Sequence, residues 1–303
     1  MSSTAKDTNK VSRRRAFSKA DRTTLGAFVG IPLFFHLLLV WIPALLTILL
    51  SFTYWSGISI SRIKWAGLAN YKNIFFDTPA FWEAIKNNFI WLGWFALIAT
   101  PLGILLAYQI DRQIRGHKFY ETAYYLPVVL SLAVTGIIWD FLLRSDGFLN
   151  GLAGRDIDNA ISFLGKNEFG IYVILTIASW RHIGYIMLLY LAGLKSVDSA
   201  LREAASLDGA TEWQTFKKVV FPSMKPVNVI VIVITIIESL RAFDIVYILN
   251  QQGTIPILGT LVYQNIAGEG ASMKGAAYAV ILFVLSIGPI IAYLRTTFKS
   301  DVQ

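Results

Sequence analysis

The chain has 303 residues, 55% of them apolar and only 15% charged, with a net charge of +8 and no cysteine. A soluble domain averages about 45–50% apolar and about 25% charged, so this composition fits lipid as the main solvent better than it fits a soluble nucleic-acid binder. The absence of cysteine excludes disulfides, thiolate catalysis and cysteine metal sites.

Residues 1–24 are polar, Ser/Thr-rich and basic (Lys6, Lys10, Arg13, Arg14, Arg15, Lys19, Arg22). They read as a disordered tail near anionic lipid. Residues 25–299 then carry six runs of the length a membrane span needs, about 20 apolar residues. These run from Leu25 to Phe52, Phe89 to Ile110, Phe119 to Leu143, Phe169 to Leu191, Val227 to Leu249 and Tyr278 to Phe298. Each is expected as one continuous helix, with Pro32, Pro43, Pro101, Pro127 and Pro289 tolerated because neighbours satisfy the freed carbonyls. The first run is too long for a signal-peptide core and reads as a retained helix. Residues 300–303 form a short C-terminal tail.

Lys and Arg concentrate on one side of these spans: the N-terminus, Arg112, Arg115 and Lys118, the loop with Lys195, Arg202, Lys217, Lys218 and Lys225, and the C-terminus with Arg295 and Lys299. The positive-inside rule puts both termini in the cytoplasm. The outer loop 53–88 is aromatic-rich (Trp55, Trp65, Tyr71, Phe75, Phe76, Phe81, Trp82), as a segment lying in the headgroup region would be.

The loop 195–222 is the most informative. Asp198 or Ser199 is placed to cap a short helix and Gly209 to stop it. Thr211 and Gln214 match a capping box opening a second helix. Pro222 is expected to end that helix, because the residue before a proline disfavours the α region. Ala204, Ala205 and Gly209 allow close approach, and Glu203 and Asp208 offer carboxylates. By physics alone this also fits an ordinary capped hairpin.

Glu203-Ala204-Ala205, Asp208-Gly209-Ala210, Phe216, Pro222 and Pro226 resemble the EAA loop of binding-protein-dependent ABC importer permeases. Trp65-Ala-Gly-Leu-Ala-Asn-Tyr71, Asn87-Asn88, Leu191-Ala-Gly-Leu194 and Phe243-Asp244 are similar to the carbohydrate branch, the group of the maltose permease subunits. The resemblance implies an all-α, six-helix type I importer core in a prokaryotic plasma membrane. It implies that the loop is a coupling helix seated in a cleft of an ATP-binding subunit: Glu203 pairing with a basic residue, Ala204 and Ala205 packing into the cleft, Gly209 making the turn. It also implies a second, paralogous permease, two ATP-binding subunits and an extracytoplasmic binding protein. The cargo would be a sugar or oligosaccharide.

Ionisable residues inside spans are costly and face cavities or partners. Arg181 and His182 lie about a dozen residues into the fourth run, and Glu238, Arg241 and Asp244 follow at three-residue spacing in the fifth. Glu238 with Arg241, or Arg241 with Asp244, can pair along one helix face. Resemblance to the maltose-type permeases places pocket residues on these helices: Ser179, His182 and Tyr185, then Ser239 and Ala242, with Glu238 and Arg241 beside them. An internal ion-pair ladder against the partner permease is the alternative. The two arginines would also suit a phosphorylated polyol such as a glycerol phosphate.

No GxxxxGK[ST] phosphate loop occurs, so this chain is expected to bind no cofactor, with ATP and Mg held on the partner ATPase. With His36 and His117 isolated and no HExxH, no metal site is expected. A polytopic membrane enzyme would have to rest on Asp111, His117 and Glu121, and a secondary transporter on inverted repeats that are not seen.

Overall fold

The structure, a computed structural model, describes residues 19–55, 61, 63–165, 169–250, 253–267 and 273–299. Of the basic tail expected over residues 1–24, residues 1–18 lie outside the described residues and 19–24 are not a disordered tail but the first turns of a helix; the C-terminal tail 300–303 also lies outside the described residues. The chain divides into two compact units, residues 1–49 and 50–303.

The first unit is built on helix α1, residues 19–50, whose stretch Thr23–Leu50 is long and apolar enough to cross a membrane. Its large apolar side chains, Phe28 and Leu39 among them, are exposed.

The second unit opens with a two-stranded antiparallel ribbon, β1 (Thr53–Tyr54) and β2 (Lys64–Trp65), with Thr53 opposite Trp65. Asn70 fastens the ribbon: its amide donates to the carbonyls of Ser51 (2.8 Å) and Thr53 (3.0 Å). Helix α2 (Ala69–Asp77) follows, and then α3 (Pro79–Asp111), which begins ten residues before the apolar run because Pro79 supplies a ready-made first turn. The aromatic outer loop is therefore partly helical, with Trp65, Phe76 and Trp82 exposed.

The third run is not one helix. It is α4 (His117–Val129) and α5 (Leu132–Leu143), with the helix pair bent by 98°. Leu130 and Ser131 are extended, and the Ser131 hydroxyl caps α5 by accepting from the Val134 amide (3.2 Å). A serine cap inside an apolar run satisfies one of the backbone donors that a new helix start leaves unpaired. Helix α6 (Phe148–Leu152) and a 3₁₀ turn precede α7 (Gly170–Ser196).

The loop that follows holds α8 (Ser199–Leu207) and α9 (residues 212–223). The fifth run is also broken. Helix α10 (Lys225–Leu240) stops at Arg241 and Ala242, both outside helical geometry, and α11 (Phe243–Leu249) resumes. Helices α12 (Leu258–Ala267) and α13 (Lys274–Lys299) complete the chain. Among the described residues, four helices are individually long and apolar enough to span a membrane, and the bent α4–α5 pair makes a fifth candidate.

The π turns Leu37–Trp41, Phe95–Ala99 and Phe216–Val220 each end two residues before a proline: Pro43, Pro101 and Pro222. In each, the residue just before the proline donates five residues back. A proline has no N–H and its ring crowds the carbonyl four residues earlier; a wider turn relieves both. Pro222 therefore does not end α9, which runs on to Ser223, with Phe221 in helical geometry.

Between apolar helices in lipid there is little hydrophobic drive, so close approach through small residues holds them. A Cβ on Gly184 of α7 would stand 2.1 Å from the Tyr124 carbonyl oxygen of α4. One on Gly103 of α3 would stand 2.8 Å from Ile186 Cβ of α7. Around these contacts lie three buried clusters: one centred on Trp91, Ile174 and Val246, one on Met187, Tyr190 and Phe216, and one on Ile74, Phe81 and Tyr278.

Candidate functional site

The 195–222 loop folds as a pair of capped helices. Asp198 caps α8 by accepting from the Ala200 amide (2.9 Å), and Gly209 ends it at φ +77°, a left-handed geometry that favours glycine. Thr211 and Gln214 form the reciprocal capping box: the Thr211 amide donates to Gln214 Oε1 (2.8 Å), and the Gln214 amide to Thr211 Oγ1 (3.3 Å). Behind it, Phe216 is buried and its ring meets that of Tyr108 of α3 at 4.7 Å.

The two faces of α8 differ. Glu203, Ala204, Asp208 and Gly209 are exposed, and Leu207 is 90% exposed at the tip. Arg202 and Ala205 face the protein. Ala205 is only 7% exposed, so its methyl is already used within this chain, contrary to the expectation that it enters a partner's cleft. Pro222 lies in the last turn of α9, away from the α8 tip in sequence. Arg202 Nη1 donates to Asp111 Oδ2 (2.7 Å) and Nη2 to the Leu194 carbonyl (3.2 Å). Arg112 pairs with Glu212. Asp111 is thereby engaged in an ion pair with Arg202.

Halfway along α7, the polar residues turn inward. Ser179 is buried, donating to the Leu175 carbonyl (2.7 Å) and accepting from Trp94 Nε1 (2.9 Å). His182 is buried, stacked on Phe95 with ring centroids 4.2 Å apart, and its Nε2 lies 3.1 Å from Thr100 Oγ1. Thr100 in turn meets Thr235 of α10 at 3.1 Å. Ser239 is fully buried and donates to Ile236; Ala242 is buried; Tyr185 is half-buried. Ser179 with Trp94, and His182 with Thr100 and Thr235, tie α3, α7 and α10 together.

The expected Glu238–Arg241–Asp244 ladder does not form. Glu238 pairs instead with Arg181 of α7, at 3.7 Å and partly exposed, because the break after Leu240 takes Arg241 out of the helical spacing the ladder needs. Arg241 and Asp244 are exposed. Thr100 and Thr235, which the sequence reading does not single out, join the His182 network, and each carries a readable signal as a polar residue flanked by apolar neighbours. Asn87 and Asn88 also proved to have a definite task. Asn88 accepts from the Leu258 amide (2.9 Å) and Asn87 donates to the Pro256 carbonyl (2.8 Å), closing the irregular backbone that follows the helix break. No group of three metal-ligating side chains occurs among the described residues.

Residues 99–300, which include the capped hairpin, match the family described as the inner membrane component of binding-protein-dependent transport systems. The chain belongs to this family. It is 30% identical to a probable ABC transporter permease protein of Pyrococcus horikoshii, over 91% of this chain and 94% of that one. It is 29% identical to the xylose/arabinose import permease XacH of Haloferax volcanii (95% and 92%). It is 30% identical to the probable starch degradation products permease AmyD of Thermoanaerobacterium thermosulfurigenes (91% and 94%). In fold it is similar to a chain of a bacterial ABC transporter that imports the acidic polysaccharide alginate, with TM-score 0.76, 22% identity and 93% and 96% coverage. The fold is thus that of the type I ABC importer permeases, and the chain is a membrane permease component rather than an enzyme of its own.

Proposed function

We propose that this permease is one of two paralogous membrane subunits of an ATP-driven importer of a sugar or oligosaccharide, in a prokaryotic plasma membrane. The observation that carries the coupling part is the α8 tip. It is a capped helix fastened on one face, which offers Glu203, Ala204, Leu207 and Asp208 on the other. An exposed leucine beside carboxylates and a small residue fits a cleft with an apolar floor and a basic rim. Two ATP-binding subunits supply that cleft and hold ATP and Mg, since this chain has no phosphate loop. The sugar assignment is supported by the relatives named for pentose and starch-product import.

Six crossings follow if the bent α4–α5 pair and the broken α10–α11 pair each count as one; both termini then lie in the cytoplasm with the hairpin. A binding protein delivers cargo at the opposite face, ATP binding draws the hairpins together, and the helices rock to admit cargo between the two permeases. Cargo contact falls on the partly exposed groups around mid-α7 and the α10 break: Tyr185, Arg181, Glu238 and Arg241. Ser179, His182, Ser239 and Ala242 reach cargo only if those helices separate. A phosphorylated polyol is the second reading, favoured by Arg241, which is exposed at the break and makes no salt bridge among the described residues.

Glu203→Lys tests the coupling reading, because Glu203 is exposed and outside every span. The variant is expected to insert normally but to lose the ATP-binding subunit on co-purification and to stop uptake. Unchanged association together with unchanged uptake would sink the reading.

A further inference from the structure

The hairpin is held to the transmembrane helices in an unequal way. A cleft of ≈ 360 Å³ lies between α8 and the end of α3, lined by Tyr108, Asp111, Arg202, Ser206, Glu212 and Phe216. Arg202 reaches across it with both arms of its guanidinium. One arm holds Asp111, the last residue of α3, and the other holds the carbonyl of Leu194 in the last turn of α7. That carbonyl is one of the four a helix leaves unpaired at its C-terminus. The second ion pair, Arg112–Glu212, sits with both side chains about half exposed or more (46% and 67%), where solvent screens it. Asp111 is only 15% exposed, so the Arg202 contact is the better shielded of the two.

What Arg202 grips is itself a unit. The C-terminal part of α3 packs on α7 through Gly103, where no Cβ fits against Ile186 and the Ile183 carbonyl. At its other end this part of α3 meets the π turn Phe95–Ala99, and Thr100 there bonds to His182 of α7 and Thr235 of α10. A pull at Asp111 and Leu194 therefore moves two helices together. A π turn next to a proline is a local weakness in a helix, and it falls where such a body would pivot.

We propose that Arg202 is the positioning residue that transmits displacement of the hairpin to α3 and α7 as one body. This rests on the coupling reading above. A lysine cannot replace it fully, because a single ammonium lacks the planar fork that holds two acceptors on different helices.

The chain has no cysteine, so spin labels can be placed without background. Two distances are measured by pulsed EPR in the complete transporter, with and without ATP and vanadate. One runs from Lys218→Cys on the hairpin to Val284→Cys on α13, the other from Tyr172→Cys on α7 to Val284→Cys; all three positions are exposed. In the parent, both distances are expected to shift, by roughly 2–5 Å. In Arg202→Met the hairpin shift should persist while the α7 shift falls to less than half; Arg202→Lys should lie between. Parent-like shifts of both pairs in Arg202→Met overturn the proposal. Loss of both shifts in Arg202→Met also overturns it, since Arg202 would then serve docking of the ATPase instead. No shift of either pair in the parent would overturn the coupling reading itself. If Arg202→Met fails to assemble, the isosteric Asp111→Asn is judged by the same outcomes.

Discussion

The tip of the hairpin and the middle of α7 spend their polar residues in opposite directions. On α8, Glu203 and Asp208 face outward while Arg202 turns inward to bind Asp111. On α7, Ser179 and His182 turn inward to Trp94 and Thr100, while Trp180 is 39% exposed. The first arrangement leaves an exposed polar face that would meet a partner without rearrangement. The second joins buried side chains of α3, α7 and α10 across the bundle. The comparison teaches that residue type and depth in the sequence do not reveal which face a side chain serves.

Three substitutions sharpen or break that contrast. The largest effect is expected from Gly184→Val, which drives a branched side chain into the Tyr124 carbonyl 2.1 Å from its Cβ position. It should cost about 3 kcal/mol, the upper end for overpacking, and appear as loss of folded protein in the membrane and a lower Tm in detergent. A parent-like Tm would mean that α4 and α7 are not in close contact.

Next is His182→Phe, which keeps the ring against Phe95 but removes the bond to Thr100. Thr100 retains Thr235, so the expected cost is about 1 kcal/mol in stability, with the KM for uptake unchanged. A raised KM at parental Tm would show instead that His182 touches cargo, and the two regions would then both be binding surfaces.

The smallest effect is expected from Thr211→Ala, which opens the capping box without touching the exposed tip of α8. Loss of an N-cap costs about 1 kcal/mol in the helix it serves, but α9 is also pinned by Phe216, so uptake should fall less than twofold. A larger fall, read in transport assays, would place α9 inside the coupling contact.

Much of the hairpin was legible because its determinants are local. Asp198, Gly209 and the Thr211–Gln214 box act within three residues of themselves, and all three formed as the sequence implied. The inward turn of Ala205 was less legible, since it depends on where α3 and α7 end. The breaks in the third and fifth runs are not legible in the sequence for a related reason. Hydropathy counts residues in lipid and does not register a serine cap at Ser131, or a break at Arg241 and Ala242 with the nearby Ser239 carbonyl met by Asn88 from another helix. The same break replaced a ladder along one helix with the Arg181–Glu238 pair between two.

By itself, then, the sequence determined the lipid environment, the helical class, the capped hairpin and the family that it marks, because composition and short-range spacing set these. Tertiary structure alone decided which helices bend, which polar groups pair across helices and which face of α8 is left open. Those depend on residues distant in the chain meeting at close range, as Arg202 meets Asp111 and Asn88 meets Leu258.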